Sequence, residues 1–125
     1  MVKEKVEKKV NVVDMFCEKL REKLPQITPT NNKPIEIRTP IKTTNGQIVV
    51  SVFRDKNGQI RRTLTLRPNG GHPLYNRLMI ESVEHIEFLK EITQNIKDIE
   101  KIANVVLEVE EEAEYMDILK ELEVS

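Results

Sequence analysis

Arginine is unevenly distributed along this chain, and its distribution is the strongest chemical signal in the sequence. Residues 34–80 contain six of the seven arginines and carry eight basic residues against two acidic ones, whereas residues 81–125 carry four lysines against 14 acids. The guanidinium group is a planar set of donors that binds phosphates and stacks on bases. The basic segment therefore predicts a surface for a polyanion, although the whole-chain pI of about 6.2 conceals it.

Side chains that could perform catalysis or bind a metal are sparse. His72 and His85 fall in different predicted elements, and Cys17 is the only cysteine, so no metal site and no cofactor are predicted. Residues 69–72 could form a backbone nest for phosphate; the alternative is a structural turn, because the lysine and hydroxyl residue of a P-loop are missing. The carboxylates of residues 108–114 lie on a predicted helix without the apolar surroundings that general acid–base catalysis requires. We therefore expect that the protein is not an enzyme.

The amino-terminal part of the chain has a helical pattern. Apolar residues recur every three or four positions from Val6 to Leu24, which predicts an amphipathic helix that ends before Pro25. Cys17 lies on its apolar face, so we expect a buried structural thiol. Residues 25–34 combine three prolines with two asparagines and predict a linker. No apolar run reaches the length of a signal-peptide core or a membrane span, so a cytoplasmic protein without membrane contact is expected.

The central part of the sequence, residues 35–67, alternates between apolar and polar residues. This alternation predicts an antiparallel sheet of three to four strands, in which residues 75–80 would provide the fourth. The pair Asn45-Gly46 is typical of a two-residue hairpin turn between the first two strands. Residues 55–58 are typical of a type I turn that is closed by its glycine in the left-handed region.

The two turns determine which residues face each other across the strands. The first turn would place Arg38 opposite Phe53, and the second would place Phe53 opposite Arg61. One face of the sheet then collects isoleucine, leucine and valine, while the other collects arginine, serine, threonine and Phe53. Arg54 and Arg62 fall on the apolar face and are expected to reach out at its rim.

The second of these faces has the composition of a single-strand binding surface. Aromatic rings would stack on bases and cations would neutralise phosphates without reading the sequence. The alternative is that the arginines are merely solvated and that Phe53 packs under the amino-terminal helix. The predicted nucleic-acid-binding residues are Arg38, Lys42, Phe53, Arg54, Arg61, Arg67, Tyr75 and Arg77.

The last third of the chain contains no proline or glycine, and its apolar residues are spaced by three and four. This predicts a zipper-like helix that begins at Ser82 and outruns a small sheet, so its apolar seam would need a partner. A break near Asn104 would instead form a helical hairpin within one subunit. We expect a nucleic-acid-binding domain (residues 1–80) and a helical oligomerisation segment with an acidic end (residues 81–125). The predicted oligomerisation residues are Leu89, Ile92, Ile96, Ile99, Ala103 and Val106.

The order of helix, linker, curved hairpin sheet and long carboxy-terminal helix resembles the thermophilic archaeal single-stranded DNA-binding proteins called ThermoDBP and their related proteins. The resemblance covers nearly the whole chain and rests on the stretch PIEIRTPIKTTNGQIVVSVFRDKNGQIRRTLTLRP followed by the apolar helix. It implies dimerisation through the helix and DNA binding by basic and apolar residues. A more distant resemblance, carried by Ile80, Glu81 and Ser82 at the entry to the helix, is to the transcriptional coactivator positive cofactor four. Both imply single-stranded DNA as a partner.

Two functions remain open at this point. The first is sequence-independent binding and protection of single-stranded DNA, with RNA as a second candidate strand, by the basic sheet surface of a homodimer or higher homo-oligomer. The alternative is a protein-interaction or scaffold module, in which the acidic coiled-coil helix is the active surface and the arginines bind acidic partners. The first is expected to weaken with salt, by about 0.7 in the log–log slope for each phosphate contact to a single strand.

Overall fold

The computed structural model describes residues 11–30, 33–69 and 80–124, which form helices packed on one antiparallel sheet. The predicted α+β class is confirmed, because a helix is followed by three described strands and by a long carboxy-terminal helical segment. The first turns predicted for the amino-terminal helix lie outside the described residues. So does the predicted fourth strand, apart from its last residue, Ile80.

Helix α1 comprises Val12–Lys23 and begins where the side chain of Asn11 caps it. The Asn11 Oδ1 atom accepts hydrogen bonds from two backbone N–H groups of the first turn, at 3.0 and 3.3 Å. It thereby satisfies donors that have no partner within the helix. A 3-10 turn with Pro25 near its start follows, so the predicted helix end is confirmed. The thiol of Cys17 is buried as expected, and burial raises its pKa.

The sheet contains β1 (Ile35–Arg38), β2 (Gly46–Arg54) and β3 (Ile60–Pro68), all antiparallel. Their order is β1-β2-β3, so β2 is the central strand of the described sheet and the other two form its edges. Because side chains alternate along a strand, each strand contributes to two faces.

The predicted register of β2 and β3 is confirmed, since Phe53 lies opposite Arg61. The turn between the two strands also follows the prediction. The Asp55 N–H donates to the Gln59 carbonyl at 2.9 Å, and Gly58 has a φ of 79°. Glycine reaches this left-handed conformation without a steric penalty, which explains its position in the turn.

The predicted two-residue turn between β1 and β2 is wrong. Gly46 is the first residue of β2 and does not have a positive φ, which the predicted turn type requires. Residues 39–45 connect the two strands instead, and Arg38 lies opposite Val49 rather than Phe53. The shift of four residues is even, so each side chain keeps its predicted face.

Two helices, α2 (Val83–Gln94) and α3 (Ile96–Val124), form the carboxy-terminal part. Ser82 caps α2 as predicted, with its Oγ accepting a first-turn N–H at 3.4 Å. The predicted zipper-like helix breaks at Asn95, whereas Asn104, the alternative position for a break, lies inside α3. The Asn95 side-chain amide donates to a carbonyl one turn earlier at 2.8 Å. Such local bonding by asparagine competes with the helical backbone pattern.

The connection between β1 and β2 is held by α2. The Glu91 carboxylate accepts the N–H groups of Thr44 and Asn45, at 2.6 and 2.8 Å, and the Asn45 side-chain amide at 3.0 Å. Phe88 packs on Gly46 so closely that a Cβ there would lie 2.5 Å from the ring. These contacts, rather than a tight turn, determine where β2 begins.

One hydrophobic core joins α1, the apolar face of the sheet, α2 and the first half of α3. Side chains from both sides of residue 80 therefore pack together. After Val109, no side chain described in α3 is buried. The core residues are Val13, Cys17, Leu20, Leu24, Ile41, Ile48, Val50, Val52, Phe88, Ile99, Ile102, Val105, Val106 and Val109.

Candidate nucleic-acid interface

The side of the sheet opposite the core, here called the polar face, carries most of the predicted strand residues. Its position follows from strand periodicity, because the core takes its strand residues from the other side. None of the side chains of the polar face belongs to the core cluster. The polar face consists of Glu36, Arg38, Gln47, Val49, Ser51, Phe53, Arg61, Thr63, Thr65 and Arg67.

The centre of the polar face is a cluster of hydroxyl groups. The Thr65 oxygen lies 3.1 Å from that of Ser51 and 3.3 Å from that of Thr63. Ser51 is buried, whereas the two threonines are half-buried. Each hydroxyl can both donate and accept a hydrogen bond. The threonines can therefore contact a polar ligand without adding charge.

An ion pair crosses the polar face from β1 to β3. Two nitrogens of the Arg67 guanidinium donate to the two oxygens of Glu36, and this hydrogen bonding lowers the pKa of Glu36 from its usual value. Glu36 lies opposite Ser51 and Arg67 opposite Gln47, so the line between them crosses β2 at Val49. Val49 is only 2% exposed. Arg67 must therefore release the Glu36 carboxylate before its guanidinium can bind phosphate.

Phe53 is half-buried on the polar face and lies directly opposite Arg61. The core cluster, which contains the buried residues of α1, does not include Phe53. The alternative that Phe53 packs under the amino-terminal helix is therefore not supported. Its predicted position between two arginines is wrong for Arg38, which is four residues away along the sheet, or about 13 Å.

At the β3 edge, two consecutive arginines share one carboxylate of α3. The Glu110 carboxylate accepts Arg61 Nε at 3.1 Å and Arg62 Nη1 at 2.9 Å. Arg62 also donates to the Leu24 carbonyl at 3.5 Å and is only 8% exposed, so its predicted position at the rim is wrong. The Arg61 side chain is 52% exposed and has a second carboxylate, Asp55, at 4.0 Å. Arg61 is thus accessible but already paired.

At the β1 edge, the predicted cations Arg38 and Lys42 are exposed. Within residues 11–30, 33–69 and 80–124, no carboxylate lies within 4.0 Å of either side chain. A groove of about 330 Å³ adjoins Arg38 on the side of α1. Cations without a carboxylate partner are therefore found at this edge rather than at the β3 edge.

Of the remaining predicted binding residues, only Arg54 lies in the described part of the chain. Arg54 is exposed at the turn after β2, on the apolar side as predicted, and its Nη1 donates to the Gly58 carbonyl at 3.1 Å. Tyr75 and Arg77 lie outside the described residues. The structure therefore adds no second aromatic ring to Phe53 among the described residues of the polar face.

The predicted oligomerisation residues fall into three groups, which differ in exposure. Ile99 and Val106 are only 6% and 2% exposed in the hydrophobic core of the chain, so they present little surface to a second subunit. Leu89 and Ile96 are 36% and 51% exposed and could contact a partner. The remaining two, Ile92 and Ala103, are half-buried.

A second apolar stripe lies on the distal half of α3. Tyr115 is 60% exposed, Ile118 is 49% exposed, and Leu119 is half-buried. Their spacing of three and four places them on one side of a helix. Met116 adds a further exposed apolar side chain. This stripe, unlike the buried seam, is apolar surface that α3 presents, and Ile96, Leu107 and Leu122 are further exposed apolar residues of the helix.

The sequence analysis missed the acids that engage the arginines. Glu110 belongs to the run of carboxylates on the predicted carboxy-terminal helix, and nothing in its local pattern indicates a partner 48 residues away. A second missed group is the outer side of α1, where Val12 and Met15 are 60% and 47% exposed. This group could have been found, because a helix with apolar residues on two sides has more apolar surface than one core needs.

Comparison with known proteins gives no assignment. No protein-family model matches the chain, and neither a curated protein nor a solved structure matches it. The resemblance to the thermophilic archaeal DNA-binding proteins therefore stays a prediction. In residues 11–30, 33–69 and 80–124, no group of three His, Cys, Asp or Glu side chains could hold a metal ion. None of the helices described there is both long and apolar enough to cross a membrane.

Proposed function

We propose that the chain binds single-stranded DNA, with RNA as a second candidate, without sequence preference on its polar face. The observation that supports this best is Phe53, a ring that lies outside the core and directly opposite the accessible guanidinium of Arg61. An aromatic plane beside a cation is the combination that sequence-tolerant single-strand binding uses. The neighbouring threonine hydroxyls supply neutral hydrogen-bonding groups.

The phosphate contacts of this proposal form in two steps. Arg38 and Lys42 can bind phosphate directly, because the described chain offers them no carboxylate within ion-pair distance. Arg61 and Arg67 bind phosphate only by exchanging Glu110 and Glu36. Two direct contacts correspond to a log–log salt slope of about 1.4 for a single strand. An arginine that first releases its carboxylate partner adds less than the usual ~0.7 to this slope.

Binding of a fluorescein-labelled oligothymidylate to the wild-type chain and to Phe53→Ala tests the stacking role. The variant is expected to weaken binding by about 1–3 kcal/mol with an unchanged salt slope, since no charge is lost. Leu66→Ala is the matched control, because this exposed side chain lies on the opposite side of the same sheet. If the wild-type chain binds no polynucleotide at low salt, the proposal fails and the protein-interaction alternative takes its place.

Self-association is the second part of the proposal, and we assign it to the distal stripe of α3. The stripe is flanked by exposed acids such as Glu111 and Glu114. Because like charges repel and salt screens them, association should strengthen as salt is added, opposite to DNA binding. Sedimentation of Ile118→Glu should show monomers, whereas Lys120→Gln, with the same change in net charge, should associate like the wild type. A monomeric wild type at high salt contradicts this assignment.

A further inference from the structure

Helix α1 and the β1 edge line an open groove, and Arg38 is the residue that the groove shares with the polar face. Its volume is about 330 Å³, near the lower end of the roughly 300–1,000 Å³ found for small-molecule sites. Met15 is 47% exposed in it, and Phe16 is half-buried, with one side packed against the core. The lining residues are Val12, Met15, Phe16, Lys19, Arg38, Thr39 and Pro40.

Two charged side chains of α1 lie on the side of the helix that faces away from the groove. Asp14 and Arg21 project toward α3, where they pair with Lys101 at 3.1 Å and Glu108 at 3.2 Å. At 100° per residue, Lys19 lies about 140° or more from both of them around the helix, on the side that lines the groove. None of the described residues that line the groove is acidic, and Glu22, which lies about 60° from Lys19 around the helix, forms no ion pair with it within 4.0 Å.

Two cations meet apolar surface in this groove. Lys19 and Arg38 are both exposed, and neither has a carboxylate within 4.0 Å in the described chain. Met15, Phe16 and Pro40 supply apolar and aromatic atoms beside them. An acidic peptide would use the cations alone, whereas a nucleotide would use both the cations and the ring.

We propose that this groove is a subsite for one nucleotide unit of the bound strand, an inference that rests on the proposed function. Lys19 and Arg38 contact the phosphate, and the base lies against Met15 and the Phe16 ring. Because Arg38 also belongs to the polar face, a strand that leaves Phe53 can continue over Arg38 into the groove. The bound strand then crosses the β1 edge of the sheet and avoids the carboxylate at the β3 edge.

The charge part of this subsite is tested by the salt dependence of oligothymidylate binding. The double variant Lys19→Gln/Arg38→Gln should shallow the log–log slope by about 1.4. Lys97→Gln/Lys90→Gln, two exposed lysines of α3 and α2, is the control with the same loss of charge and should leave the slope unchanged. A slope that is shallower by only about 0.7, the contribution of Arg38 on the polar face alone, overturns the subsite and leaves the proposed function intact. Absence of wild-type binding overturns both.

The position of the base is tested by a second measurement. Phe16→Leu keeps an apolar group against the core but removes the ring, and it should weaken binding roughly ten-fold with an unchanged slope. Its thermal unfolding is compared with that of the wild type to show that the chain is folded.

An oligonucleotide that carries 5-iodouracil should cross-link on irradiation to the peptide containing residues 12–19. Cross-links found only in residues 46–68 would place the base on the polar face and overturn the subsite. Competition with poly-glutamate is a further check. If poly-glutamate displaces the oligonucleotide as readily as oligothymidylate does, the subsite is also overturned.

Discussion

At the β3 edge of the sheet, Arg61 and Arg62 share the Glu110 carboxylate, whereas at the β1 edge Arg38 lies beside Lys19 without a described carboxylate in ion-pair distance. Both edges belong to the same basic segment of the sequence. The difference comes from the helices that flank them. Helix α3 brings an acid to the β3 edge, and α1 presents a lysine and apolar side chains to the β1 edge.

This difference separates two roles of arginine. Arg62 is almost fully buried, and a buried charge is tolerated only with a partner and further hydrogen bonds, which Glu110 and the Leu24 carbonyl supply. Its guanidinium is therefore part of the subunit structure. Arg38 is exposed, so water solvates its charge and no protein partner is needed. The number of arginines in a segment thus overestimates the charge that a ligand can reach.

The largest expected effect comes from the buried member of the β3 pair. Arg62→Met should lower the free energy of unfolding by about 2–3 kcal/mol, because it removes the main partner of a partly buried carboxylate. Arg61→Met removes an adjacent, half-exposed arginine and should cost less than ~1 kcal/mol. Urea unfolding of the two variants measures the contrast. Equal losses would show that the two arginines do not differ in role.

The second turn and the helix ends could be predicted because they depend on residues that are close together in the sequence. The second turn depends on Gly58 and on Asp55, which accepts the N–H groups of two residues of the same turn. The cap of α2 depends on Ser82 and a first-turn N–H. The end of α1 depends on Pro25. Each of these devices is complete within a few residues, so the sequence alone predicts it.

The parts that could not be predicted depend on distant contacts. The predicted two-residue turn at Asn45-Gly46 is wrong because the Asn45 N–H donates to Glu91, 46 residues away, rather than to the facing strand of a hairpin. The candidate site also depends on contacts between residues that are distant in sequence. The alternation of residues predicts which side chains share the polar face, but it does not predict that Glu110 pairs with two arginines. The break at Asn95 could not be distinguished from one at Asn104 by residue type.

The second prediction concerns the carboxylate at the β3 edge. Glu110→Gln removes its charge while the amide oxygen can still accept a hydrogen bond from Arg62, so the chain should stay folded. Arg61 then keeps only the longer pair with Asp55 at 4.0 Å, so oligothymidylate binding should tighten at low salt with a log–log slope steeper by up to ~0.7. This variant is cleaner than deletion of residues 108–125, which would remove the core residue Val109.

Glu111→Gln is the control for this effect. It makes the same change in net charge on the next residue of α3, where the side chain is exposed. If the two variants bind DNA equally, the gain is a general effect of lower negative charge, and the β3 edge is not closed by Glu110 in particular. Circular dichroism at the binding temperature confirms that both variants are folded.

The smallest expected effect concerns the connection that leaves the β1 edge. Hydrogen bonds from the Thr44 and Asn45 backbone lower the pKa of Glu91 from its usual value. A carboxyl group whose pKa is lowered in the folded state stabilises the fold above its unfolded-state pKa of about 4.3, and the contribution is lost as the pH falls through the folded-state pKa. Glu91→Gln should therefore lower the stability at pH 7 by about 1 kcal/mol, the scale of hydrogen bonds to a half-exposed charged acceptor.

The pH dependence distinguishes this role from a general loss of charge. The stability difference between Glu91→Gln and the wild type should shrink as the pH is lowered below about 4, because the wild-type carboxyl becomes protonated. Glu87→Gln, one turn earlier on α2, loses only a surface pair with Lys90 at 3.2 Å and should change stability by less than ~0.5 kcal/mol at pH 7. A difference for Glu91→Gln that persists unchanged at low pH would mean that its charge does not hold residues 39–45. The contact of Phe88 with Gly46 and the hydrogen bonds from Asn69 to Thr44 and Asn45 would then hold this connection.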